Sequence, residues 1–144
     1  MKHVSVTEAL EQQQTGVTYV DVRSTREFAM GHPAGAVNVP LADQDAFGQM
    51  VPNPDFVEVI QAHYAPETPL LIGCQAGGRS MRAVEILEAS GYTELTNVVG
   101  GYGGGSDPST GAPVPGWSQA GLPVERDSDP AHTYAGMREK LAKD

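Results

Sequence analysis

Runs and periodicities of apolar residues divide the chain into a series of strands and helices. Ser5 and Glu8 stand at capping-box spacing ahead of Ala9 and Leu10, which predicts a helix from Val6 to about Gln13 that stops near Gly16. Thr18-Tyr19-Val20-Asp21-Val22 is β-branched and apolar and predicts a strand. Ser24 and Glu27 repeat the capping-box spacing before Phe28 and predict a second short helix. Gly35 to Pro40 reads as a short strand closed by proline. Asn53 and Pro54 predict a cap and first-turn proline for FVEVIQAHY, whose Phe56, Val57, Ile60 and Tyr64 share one helical face.

Pro69 to Gly73 is a continuous apolar run, as expected of a parallel strand buried on both faces, and it delivers Cys74 at its carboxyl end. A helix starting near Ser80 follows, with Met81, Val84 and Leu87 at turn spacing and Gly91 past its end; Leu95 to Val99 is the next strand. This alternation predicts an α/β domain with a mainly parallel central sheet flanked by helices. Residues 102–116 hold five Gly and three Pro in fifteen positions, which predicts a surface loop without a core contribution. Trp117 resumes the folded chain. Asp129 and Pro130 predict a cap and first-turn pair for a helix from His132 to about Ala142, so the expected division is a domain over 1–128 and a helical extension over 129–144.

A length of 144 residues suits one domain, and 40% hydrophobic residues exclude disorder throughout. Eighteen Asp plus Glu against nine Lys plus Arg leave a charge of −9, which repels phosphate backbones and anionic membranes, so neither nucleic acid nor membrane is an expected partner. The start of the chain has no apolar signal-like region, and no apolar stretch approaches a membrane span. One cysteine cannot form an internal disulfide, and His3, His32, His63 and His132 are too scattered for a compact zinc spacing. The expectation is a reducing, cytoplasmic location with no metal and no cofactor.

The chemistry concentrates in Cys74-Gln75-Ala76-Gly77-Gly78-Arg79-Ser80, a cysteine at a strand end followed by paired glycines, an arginine and a helix start. Ligands of open α/β sheets bind at that end of the strands. Gly77 and Gly78 can take backbone angles that turn successive N–H groups toward the sulfur, and the helix N-terminus, Arg79 and Arg82 add positive potential. Such surroundings stabilise thiolates, and a packing cysteine needs none of them. A buried structural cysteine is the bland alternative.

These residues carry a resemblance. Asp21-Val22-Arg23, Glu27-Phe28, Gly31-His32 and Gly35-Ala36 in order, the loop GCQAGGRS, and GLPVE at Gly121 to Glu125 together resemble the rhodanese sulfurtransferase family from about Val4 to Val124. The resemblance implies a doubly wound α/β domain in which Cys74 accepts a sulfane sulfur as a persulfide and passes it to an acceptor. It also implies a meaning for loop length: Cys74 through Arg79 is six residues, which suits a sulfur atom, whereas related dual-specificity phosphatases insert one more to seat a phosphoryl group. In double-domain thiosulfate sulfurtransferases of the family two basic side chains bind the donor, and the matching positions here are Ala76 and Glu27. Arg79 is then the candidate for holding an anionic donor, beside Gln75, Ala76, Gly77, Gly78 and Ser80 as substrate-binding loop. The family's tryptophan after the paired glycines is displaced here, with Gly100-Gly101 separated from Trp117 by the Gly/Pro-rich insert, read as a tolerated insertion.

Asp21, Arg23 and Glu27 are expected to brace the loop through hydrogen bonds or ion pairs. His32 lies in a turn that the resemblance marks as structural, and Trp117, Tyr102 and Phe28 are expected in the core or pocket lining. The leading expectation is an enzyme with a small-molecule sulfur donor and a cyanide or thiol acceptor. Its alternatives are a persulfide carrier or regulatory module serving a thiol-bearing protein, a redox module, and a cysteine-dependent phosphatase or arsenate reductase, the last disfavoured by loop length.

Overall fold

Successive side chains of the central strands point to opposite faces, and both faces are apolar. In the computed structural model, which describes residues 2–142, Tyr19 and Leu71 project into one core with Val6, Ala9, Phe28, Val98 and Trp117, while Val20, Leu70 and Ile72 project into another with Val59, Ile60, Val84 and Leu87. A strand covered on both faces needs the unbroken apolar pattern seen at Leu70–Gly73.

The elements run β1 (Lys2–Val4), α1 (Val6–Gln14), β2 (Thr18–Asp21), α2 (Thr25–Met30), β3 (His32–Pro33), β4 (Val37–Asn38), β5 (Ala42–Gln44), β6 (Met50–Pro52), α3 (Phe56–His63), β7 (Leu70–Gly73), α4 (Gly78–Ala89), β8 (Leu95–Val98), β9 (Gly105–Ser106), β10 (Pro113–Val114), β11 (Val124–Glu125), a 3-10 turn (Pro130–His132) and α5 (Tyr134–Ala142). The main sheet has the order β1-β8-β7-β2-β4 with every pair parallel, giving the helix-flanked α/β fold expected from the alternation of elements. Both capping boxes form: the Ser5 hydroxyl accepts from Glu8 N–H and that of Ser24 from Glu27 N–H, each glutamate accepting in return from the cap backbone.

Several boundaries differ from expectation for local reasons. Strand β1 has no sequence signal of its own, because a three-residue edge strand is defined only by its partner β8. Helix α3 begins at Phe56 and not at Pro54; the Asn53 side chain instead accepts from Asp55 N–H and donates to Pro40 O and Tyr134 Oη. Its buried face includes Val59, with Val57 and Tyr64 only partly covered. Helix α4 starts at Gly78, two residues before Ser80. Asp129 caps only the 3-10 turn, and α5 starts after Thr133, whose hydroxyl accepts from Gly136 N–H.

The C-terminal helix is part of the main core. Met137 is 2% exposed and sits with Phe56, Val59 and Ile60; His63 Nε2 lies 2.7 Å from Met137 O, and Arg138 pairs with Asp55 at 2.6 Å. Residues 143 and 144 of the expected extension lie outside the described residues.

The Gly/Pro-rich segment needs a similar correction. Its distal half is an exposed hairpin of β9 and β10, but its proximal half is threaded against the cysteine loop: Tyr102 N–H donates to Cys74 O at 2.7 Å and Gly103 N–H to Gln75 O at 2.9 Å. Gly101, at φ +54, leaves no room for a Cβ, which would run into the Cys74 carbonyl. Composition predicts a loop here but is blind to backbone packing against backbone. Replacing Asp107 to Ala112 by a two-residue turn is expected to shift the thermal midpoint by no more than about 3 °C, whereas excising Gly103 to Pro115 removes partners of the cysteine loop and should lower it well beyond that. Thermal melts of the two deletions check this, and equal midpoints would refute it.

Candidate active site

Strand β7 ends with Gly73 opposite Asp21 of β2, and Cys74 follows at the carboxyl edge of the sheet, 2% exposed. Its Sγ accepts from Gly77 N–H at 3.0 Å and lies 3.4 Å from Ser80 Oγ. The chain turns into α4 through φ +113 at Gly77, a conformation costing an L-residue roughly 1–2 kcal/mol. Gly78 does not use the freedom expected of it, because it is the first residue of α4 with ordinary helical angles and open space where a Cβ would stand. The sulfur therefore sits at the positive end of a twelve-residue helix.

Arg79 lies in the first turn of α4, where a cation opposes the helix dipole, and Glu27 compensates it. Its two terminal nitrogens donate to Glu27 Oε1 at 2.6 Å and Oε2 at 2.9 Å, a bidentate pair about 30% exposed on each side. Glu27 also closes the capping box of α2, so one carboxylate ties the starts of two helices. Arg79, the candidate for holding an anionic donor, is thus paired with the residue expected to brace the loop, and both line a cleft of about 590 Å³ with Arg26, Met30 and Met50. Above all through the Arg79 hydrogen bonds, the Glu27 carboxyl is lowered to about 2, and the Arg79 guanidinium is pushed up by the same bond.

A carboxyl lowered on folding stabilises the protein above its ordinary value of 4.5, and that stabilisation is lost as pH falls through about 2. Allowing for solvent screening, the pair contributes on the order of 1–2 kcal/mol. Glu27→Gln should therefore be less stable than the wild type at pH 7, with the difference closing between about pH 4.5 and 2. Urea unfolding at both ends checks this, and a gap that persists at the acid end would contradict it.

Asp21 and Arg23, both buried, form a second support. Arg23 donates from its backbone N–H and Nε to Asp21 Oδ1 and from one terminal nitrogen to Asp21 Oδ2 at 2.8 Å. The same terminal nitrogen also donates to Gly31 O at 2.7 Å, the other donates to Gln75 Oε1 at 3.2 Å, and the guanidinium lies 4.3 Å from the Tyr102 ring centre. Gln75 and Ala76 are exposed on the rim, and Ala76 brings no charge to it. His32 is fully buried away from the sulfur, its Nδ1 2.6 Å from Phe28 O and its Nε2 3.3 Å from Glu125 Oε1. Trp117 is fully buried, donating Nε1–H to Pro123 O and meeting Tyr19 edge-on.

Two contributors escaped the sequence reading, and a third, Tyr102, takes a lining position of the kind expected of it. Asn97 on β8 is 1% exposed and accepts from Ser80 Oγ at 2.6 Å; Asn38 on β4 donates to Asp21 O and Arg23 O; Tyr102 covers Arg23. The available signal was a single asparagine in each of two buried strands, since an amide buried in a sheet must find partners.

A cysteine presented on a six-residue loop, between a central parallel strand and a helix N-terminus, defines an α/β domain with a single thiol at the carboxyl edge of its sheet. The sequence profile of the rhodanese-like domain matches residues 5–107, and the chain belongs to that family. It is 38% identical over 122 residues to thiosulfate sulfurtransferase 16, chloroplastic, of Arabidopsis thaliana, covering 85% of this chain and 91% of that protein. It is 35% identical over 88 residues to human thiosulfate:glutathione sulfurtransferase, covering 57% of this chain and 72% of that one. The crystal structure of Rv0390 from M. tuberculosis superposes with a TM-score of 0.69 at 26% identity, covering 88% and 98% of the two chains. Among the described residues no helix is long and apolar enough to cross a membrane.

Proposed function

We propose that the protein is a single-domain sulfurtransferase in which Cys74 carries the sulfur. The thiolate attacks the sulfane sulfur of thiosulfate or a similar donor; an S–S bond forms to Cys74, the donor's S–S bond breaks, and sulfite departs with the electron pair. Cyanide or a thiolate then attacks the outer sulfur of the persulfide, and the Cys74 thiolate is released. The observation that carries this reading is the Gly77 N–H on Sγ at 3.0 Å at the start of α4, an arrangement suited to an anionic sulfur. The six-residue span to Arg79 and the thiosulfate named in relatives support a sulfur donor over a phosphate ester. Mass spectrometry of the Cys74 peptide after thiosulfate should show one added sulfur that cyanide removes. An unmodified peptide would defeat the reading. A reduced thiol between turnovers suits a reducing compartment such as the cytoplasm.

A second reading, with a thiol-bearing protein as acceptor, is favoured by the rim of the Arg79 cleft. Met30, Phe47 and Met50 are 71%, 90% and 48% exposed, and Met30 and Met50 line that cleft with Arg26. Exposed large apolar groups on a cleft that Arg79 also lines mark a contact surface, and Phe47 stands in the turn between β5 and β6, the strand that carries Met50. Phe47→Ser with Met30→Ser should slow transfer to a reduced protein thiol while leaving transfer to cyanide unchanged; equal ratios for both acceptors would refute it.

A further inference from the structure

A line of hydrogen bonds leaves the sulfur on the side away from Arg79 and crosses the sheet to its edge. Ser80 Oγ, 3.4 Å from Cys74 Sγ, donates to Asn97 Oδ1 at 2.6 Å, with Gly77 O a more distant acceptor at 3.0 Å. Asn97 Nδ2 lies 3.1 Å from His3 Nδ1, and the register of β1 and β8 sets His3 directly opposite Asn97. Ser80 and Asn97 are buried, whereas His3 is exposed at the sheet edge.

The protons along this line cannot be arranged independently. A hydroxyl has one proton. Donated to Asn97 Oδ1, it is withheld from the sulfur, so Ser80 can only accept from a Cys74 S–H. That arrangement requires His3 Nδ1 to be an acceptor for the Asn97 amide, hence a neutral ring. An imidazolium would set its Nδ1–H against the amide N–H, donor against donor. Rotation of the amide resolves the conflict: Oδ1 turns to His3, Nδ2 donates to Ser80 Oγ, and the Ser80 proton becomes free to donate to a thiolate, the thiol's own proton leaving to solvent.

We propose that Asn97 is a positioning residue for Cys74, and that the ring of His3 selects which way its amide points. A protonated His3 then favours the attacking thiolate and a neutral His3 the resting thiol. The inference rests on the reading of Cys74 as a thiolate nucleophile, and its test does not depend on sulfur transfer. Other charged groups surround both ends. Glu8 of α1 and Asp107 of the β9–β10 hairpin share a cleft with His3, and Lys2 beside it pairs with Glu94. The Ser5 amide and hydroxyl hold the Glu8 carboxyl below its ordinary range, so it stays anionic where an imidazole titrates. Around Cys74 stand Tyr19, Asp21, Arg23, Glu27 and Arg79, none of which contacts His3.

Because Cys74 is the sole thiol, iodoacetamide alkylation reads its thiolate directly. Rates would be measured between about pH 5 and 8, where imidazoles change charge, for wild type, His3→Ala, Ser80→Ala and the double variant. At the acid end the wild type should react about three- to tenfold faster than His3→Ala, part of the effect of one charge-assisted hydrogen bond, with the gap closing toward the alkaline end. In the Ser80→Ala background the His3 effect should vanish. Superposable wild-type and His3→Ala profiles would overturn the proposal, as would a His3 effect undiminished without Ser80, which is a field effect alone. Should Ser80→Ala not fold, the first comparison in about 1 M salt decides: coupling through hydrogen bonds survives, and loss of the effect to screening overturns it. Persulfide formation at Cys74, measured separately, tests the function itself.

Discussion

Cys74→Ser is expected to reduce sulfur transfer below detection while leaving the fold intact. Serine fits the site, since its hydroxyl is smaller than the thiol and can accept from Gly77 N–H, the bond Sγ accepts at 3.0 Å. It cannot, however, form a persulfide, and an alcohol does not ionise at neutral pH. No second thiol in the chain can substitute. Thiocyanate formation from thiosulfate and cyanide, followed beside the thermal melt, measures both halves. A serine variant retaining a comparable rate would overturn the persulfide mechanism.

Arg79→Ala is the second large effect. Its removal leaves Glu27 as an uncompensated carboxylate on the cleft beside the loop and withdraws positive potential from the approach to the sulfur. Loss of one charge-assisted contact typically costs about 1.5–3 kcal/mol, so kcat/KM for thiosulfate should fall roughly ten- to a hundredfold. Glu27→Gln is the control that separates electrostatics from bracing. It removes the ion pair yet keeps the cation, so it should cost stability without a comparable loss of thiosulfate turnover. If the two variants lose turnover equally, Arg79 acts by fastening α2 to α4 and not by attracting the donor.

Much of this could be read from residue order. Apolar run, Cys, paired glycines, Arg and helix start stand within twelve residues, so chain connectivity alone brings them together. The two capping boxes are equally local, each made by residues three apart. What stayed illegible depends on distant segments. Composition marks residues 102–116 as loop, yet nothing in it says that Tyr102 and Gly103 donate to the carbonyls of Cys74 and Gln75. The polar character of His132 to Ala142 resembles an appendage, yet Met137 is buried against α3.

Residue order is enough for the class of fold, the position of the single thiol at a strand end, and the length of the loop around it, because period, caps and turn residues act within a few bonds. The pairing of the charges comes from packing. Glu27 and Arg79 are 52 positions apart, and their pairing ties the starts of α2 and α4 beside the cysteine loop. Asn97 and His3 are 94 positions apart and meet only because β1 docks on β8, which lays a polar line from the sheet edge to the sulfur. Hydrogen bonds and ion pairs reach about 3 Å, so their partners are set by how layers pack and not by spacing along the chain.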